Sequence, residues 1–115
     1  MKRKTMLEAM KKAVLRDLVK NPLLLLLVTL VESKNKETGE ITVYIRFDVE
    51  VPRGCGDISR CRFSVKVLGD KLPISEEALE QTDYVVTFQN LEISYIDDSG
   101  NVYFKADAFS IKKEG

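Results

Sequence analysis

Apolar and polar residues alternate without interruption over residues 40–51. Ile41, Val43, Ile45, Phe47, Val49 and Val51 share one parity, and Thr42, Tyr44, Arg46, Asp48 and Glu50 share the other. A period of two is that of a β-strand with one face in a core. Upstream, Leu23–Val31 is apolar at every position except Thr29, which predicts a first strand covered on both faces. Downstream, a third strand is predicted from Cys61 to about Leu68, with Cys61, Phe63, Val65 and Val67 inward and Arg62, Ser64 and Lys66 outward. Two long strands follow, Tyr84–Ile96 and Val102–Lys112, joined by Asp97-Asp98-Ser99-Gly100-Asn101. Those linker residues accept positive φ or bond their own backbone, so the pair is a predicted β-hairpin. Parity changes within the fourth strand, where Val86 and Phe88 alternate and then Leu91, Ile93 and Tyr95 do. A β-bulge near Gln89-Asn90 would return both sets to one inner face, and a similar slip is expected over Ala106–Phe109.

Helical spacing occurs at two places. In residues 5–20, Thr5 and Glu8 form a capping box, and Met6, Leu7, Met10, Val14 and Leu18 fall on one face. Lys12, Arg16 and Lys20 line another face at steps of four, and Asn21-Pro22 ends the helix. A short second helix starts at Ser75, an N-cap followed by Glu76 and Glu77 near the positive end of the dipole, and is over by Asp83. Polar turns are expected at Ser33–Gly39 and Gly69–Pro73, with a loop over Pro52–Arg60.

At 115 residues the chain is one domain with enough length for a core. Residues 1–21 form its amphipathic helical arm and residues 22–115 its β body. The formal charge is zero, with 18 cationic and 18 acidic side chains, yet residues 1–20 hold seven Lys/Arg against two acids. The arm is therefore +5, and the remaining eleven cations against sixteen acids leave the body at −5. The apolar run Leu23–Val31 is nine residues long, whereas a membrane-spanning helix needs roughly 20. With no secretion signal in view, a cytoplasmic protein is expected. Two Gln, no His and 31% charged residues lean towards a thermophilic protein.

Catalytic and metal chemistry find little support. There is no His, no nucleophile elbow, no phosphate-binding loop and no dinucleotide fingerprint. Cys55 and Cys61 are too few to hold Zn²⁺ within one chain, so neither metal nor cofactor is expected. The two cysteines flank a loop between antiparallel strands, where a disulfide and two free thiols are both open readings; intracellular disulfides do occur in hyperthermophiles.

Three strands, a short helix and two more strands is the order of the five-stranded OB-fold barrel. The stretch from Leu91 through the Asp97–Asn101 turn to Ile111 resembles the last hairpin of single-stranded-DNA-binding and replication-protein-A-type OB domains, in which a Gly turn leads into an aromatic, a small residue and an apolar pair. The resemblance covers residues 22–113 by architecture and this hairpin by residue pattern. It implies a five-stranded OB-like barrel with a short helix between strands three and four, to which the N-terminal amphipathic helix is an addition. An antiparallel sheet wrapped around that first helix, cystatin-like, is the competing architecture.

The resemblance also implies a site: the outward faces of strands two and three. Tyr44, Arg46, Arg62, Ser64 and Lys66 lie there, with Arg53 and Arg60 in the adjoining loop. A stacking aromatic among cations suits single-stranded nucleic acid, with the row Lys12, Arg16, Lys20 as an auxiliary basic arm. The same residues also read as a solvated or protein-binding strand face, and the basic row as the wet side of a helix whose apolar stripe packs on the barrel. The alternative function is a protein adapter or accessory subunit of a nucleic-acid-processing complex, docking through Met6, Leu7, Met10, Val14 and Leu18, since methionine suits adaptable interfaces. No membrane partner is expected, because the helix lacks bulky aromatics.

Overall fold

The computed structural model describes residues 22–54, 60–99 and 102–114. The arm, with its predicted helix, and Cys55 lie outside these residues. Among these described residues the body is mainly β: a single curled sheet of seven strands, forming a half-barrel, with one short helix. The strands are β1 (Leu23–Lys34), β2 (Ile41–Glu50), β3 (Arg62–Leu68), β4 (Tyr84–Gln89), β5 (Glu92–Ile96), β6 (Val102–Ala106) and β7 (Ala108–Lys113). Helix α1 (Glu76–Gln81) lies between β3 and β4. The sheet order is β5-β6-β3-β2-β1-β4-β7, with β3 and β6 parallel and the other pairs antiparallel.

Seven strands replace the expected five because both long strands break where their parity slips. The fourth breaks at Asn90-Leu91 and the fifth at Asp107. Asn90 sits in the left-handed region at φ 56°, a conformation that Asn tolerates better than most residues. The two breaks are tied together. Asp107 donates its backbone N–H to Gln89 O at 2.9 Å, and Asn90 Nδ2 donates to Asp107 Oδ2 at 2.8 Å. The first half of the hairpin's leading strand thus pairs with β1 and β7, and its second half with β6.

The β1–β2 hairpin is closed by a built turn. Asn35 Oδ1 accepts from the N–H groups of Glu37 and Thr38, at 2.9 and 3.3 Å, and Gly39 at φ 73° donates back to Asn35 O. β1 runs three residues past the predicted strand end, pairing out to Lys34↔Ile41. It is not covered on both faces as expected. An extra residue, Leu26, is inserted between the pairs Leu25↔Val49 and Leu27↔Asp48, so Leu25 and Val28 both turn inward while Leu27 and Leu30 stay exposed. Helix α1 starts as predicted, with Ser75 Oγ accepting from the Ala78 N–H at 3.1 Å.

The core consists of Leu23, Leu25, Val28, Ile45, Phe47, Val49, Val51, Val65, Val67, Val86 and Phe104. Phe47 packs edge-on to Phe88 at 5.3 Å and tilted against Phe109 at 4.8 Å, fastening β4 and β7 to β2. Phe63 and Phe104 meet at 4.7 Å and fasten β6 to β3. Ile41 and Cys61, expected inward, are exposed: each lies at a strand end where the curled sheet no longer covers it. Among the described residues no helix is long and apolar enough to cross a membrane.

Candidate functional site

With the core on the inner side of the sheet, the opposite parity of β2 forms an outward face, and the pairing register fixes its rows. Val31, Tyr44 and Leu68 lie side by side across β1, β2 and β3. The next row holds Thr29, Arg46, Lys66, Lys105 and Glu92, crossing from β1 to β5. The third holds Leu27, Asp48, Ser64, Tyr103 and Tyr95. Glu50 and Arg62 close the face. The structure therefore gathers the predicted Tyr44, Arg46, Arg62, Ser64 and Lys66 onto one surface.

Two tyrosines missing from the sequence-based set join them. Tyr95 was expected to point inward with Leu91 and Ile93. A bulge between the pairs Ile93↔Phe104 and Tyr95↔Tyr103 reverses it, leaving it 54% exposed. Its ring stacks on Tyr103, with centroids 4.7 Å apart and planes 8° from parallel. Tyr103 reaches this face because β6 runs parallel to β3 and sets it opposite Ser64. The sequence did carry one signal, an aromatic on each arm of the predicted hairpin, but not the slip that aligns them.

Electrostatically the face is nearly neutral. Arg46 Nε donates to Asp48 Oδ1 at 3.1 Å, and Ser64 Oγ donates to the same oxygen at 2.7 Å. Arg62 Nε donates to Glu50 Oε1 at 3.0 Å, and Lys105 Nζ lies 3.1 Å from Glu92 Oε1. Pairs this exposed contribute about 0–1 kcal/mol each. Lys66 has no carboxylate partner among the described residues; its ammonium lies 5.7 Å from the centre of the Tyr44 ring, a cation–π contact. The Tyr103 phenol is raised above the usual tyrosine value of about 10. Desolvation of its half-buried ring is the main cause, followed by the negative ends of Tyr95 and Asp97, while Arg46 opposes the rise.

An open groove of about 700 Å³ runs along this face, lined by Leu26, Leu27, Arg46, Asp48, Val49, Arg62, Phe63, Ser64, Tyr103 and Phe104. A smaller recess of about 130 Å³ adjoins it between Val31, Arg46, Ser64, Lys66, Tyr95, Tyr103 and Phe104. Arg53 and Arg60 are exposed in the β2–β3 connection and line neither. Cys61 is an exposed free thiol. Lys12, Arg16, Lys20 and the Met6–Leu18 stripe lie outside the described residues, as does Cys55. Among the described residues no cluster of three or more His, Cys, Asp or Glu is arranged to hold a metal ion.

No protein-family model, curated protein or solved structure matches this chain. The site must therefore be read from its own geometry.

Proposed function

We propose that this protein is a non-catalytic OB-like module that binds single-stranded nucleic acid across the outward face of β1–β2–β3–β6–β5. The observation carrying the reading is the tyrosine set on this face: Tyr44 beside Lys66, and the exposed Tyr95 stacked on Tyr103, which lines a groove with guanidinium groups in its wall. Aromatic rings beside cations bind single strands because every base has a π-face and every nucleotide a phosphate.

The topology supports the barrel part of the proposal. Taking β4 with β5 as one bent strand, and β6 with β7 as another, leaves five. Strands one to three form an antiparallel meander, the last strand runs parallel to the third, the fourth pairs with the first, and the helix precedes the fourth. In OB folds the faces of strands two and three take oligonucleotides. The basic arm, +5 over residues 1–20, would add long-range attraction.

A protein adapter is the second reading, favoured by the balanced ion pairs on the face and by exposed Leu30, Ile41, Leu68 and Leu72. Tyr44→Ala combined with Arg62→Glu separates the two. Single-strand binding disappears in the folded double variant if the proposal holds, and unchanged affinity would exclude this face.

A further inference from the structure

Among the described residues, every arginine and lysine on the outward face except Lys66 is held by a carboxylate of the same face. Arg46 is held by Asp48 and Arg62 by Glu50, each through Nε at about 3 Å. The arginines stay accessible while their carboxylates are more covered: the Arg62 side chain is 70% exposed and Glu50 15%, and Arg46 is 42% exposed and Asp48 27%. Asp48 is further fixed by the Ser64 hydroxyl, which holds its carboxylate in the groove wall rather than leaving it to follow solvent.

From this we infer that Asp48 and Glu50 are internal competitors for phosphate, and that they set specificity at the proposed nucleic-acid site, on whose assignment the inference rests. In the free protein each carboxylate occupies its arginine as a backbone phosphate would. A ligand offering phosphate alone, such as a duplex or a polyphosphate chain, must displace a carboxylate and gains little, because one anion replaces another. A single strand brings bases as well, and stacking on Tyr44, Tyr95 and Tyr103 supplies the free energy that the exchange itself lacks. Asp48 and Glu50 act through the arginines and are positioning residues with respect to the ligand.

The sign of the expected mutational effect is unusual. Removing two side chains from a binding face ordinarily weakens binding, whereas here it should strengthen it. Asp48→Asn and Glu50→Gln keep shape and hydrogen-bonding capacity while cancelling charge. The test compares wild-type protein with each single variant and the double variant, using a labelled single strand of about 20 nucleotides, its blunt duplex and an inorganic polyphosphate chain across a salt series. The double variant should bind duplex and polyphosphate roughly tenfold more tightly. Its salt slope should steepen by about one for each arginine that becomes free to neutralise a phosphate, a readout that a purely structural role would not move. The single strand should gain less, so that selectivity falls.

Unchanged binding of polyphosphate and duplex would overturn the inference, and so would weaker binding of the single strand, which would make the carboxylates direct ligand contacts. Wild-type protein that ignores the single strand would instead remove the underlying functional reading. The polyphosphate arm would still report whether the carboxylates mask the arginines.

Discussion

Tyr95 and Tyr103 lie face to face across the β5–β6 pair, 4.7 Å between ring centres, with Tyr95 more than half exposed on the outer side. A base adding to this stack would find one aromatic face already oriented by the other, with little side-chain entropy left to lose. Tyr95→Ala should therefore weaken single-strand binding by about 1–3 kcal/mol, the usual cost of losing one stacking platform. The same variant should leave the melting temperature almost unchanged. Anisotropy titration beside a thermal melt checks both. A large loss of stability with unaltered binding would make the tyrosine pair structural.

The break between β4 and β5 turns on Asn90. At φ 56° a side chain with a Cβ is strained, by about 1–2 kcal/mol for residues other than Gly, and Asn90 offsets the strain through its bond to Asp107. Asn90→Ala should destabilise the domain by about that amount. Asn90→Gly should be milder, because it loses the bond but not the conformation. Urea unfolding of the two variants gives the order directly, and equal losses would show that the backbone conformation contributes nothing.

Gly69 marks a close approach rather than a flexible point. A Cβ placed there would sit 2.8 Å from Ile45 Cδ1 and 3.2 Å from Cγ1, and Ile45 is buried. Gly69→Ala should cost about 1–3 kcal/mol by overpacking. Ile45→Val, which removes Cδ1, should cost less in the Gly69→Ala background than in the wild type. A double-mutant cycle measures that coupling, and strict additivity would mean that the contact is relieved elsewhere.

Tyr103 gives the fold a pH dependence at the alkaline end. Its phenol is raised in the folded protein, so the folded state disfavours the phenolate relative to the unfolded chain. Below the ordinary value of about 10 both states are protonated and nothing changes; above it the unfolded chain releases the proton more readily, and stability falls as pH rises. Asp97→Asn should bring the Tyr103 titration down towards the ordinary value, because Asp97 is one of the negative groups raising it. Ultraviolet difference titration of the variant against wild type checks the direction.

The inner face of β2 was legible in the sequence because its parity is unbroken from Ile45 to Val51. The Ser75 cap and the slips near Asn90 and Asp107 were legible for a similar reason, since each rests on local chemistry. The bulge at Leu26 and the one before Tyr95 were not. Both occur inside runs whose local pattern is satisfied without them, and only the pairing partner, Val49 and Asp48 in one case and Phe104 and Tyr103 in the other, fixes the extra residue. The candidate site was consequently read with one aromatic instead of three. Its carboxylates were legible only as outward-facing strand residues, whereas Asp48 bonds Arg46 two positions away on β2 and Glu50 meets Arg62 across the β2–β3 register.

The central claim is that the outward face takes single strands by stacking. Fluorescence anisotropy of a labelled strand of about 20 nucleotides, as DNA and as RNA, at two salt concentrations tests it most directly. Binding is expected at micromolar concentrations or tighter, weakening as salt rises, and lost on alanine substitution of Tyr44, Tyr95 and Tyr103 in a protein that still melts cooperatively. Absence of binding at low salt, or binding that survives the loss of all three tyrosines, would contradict it.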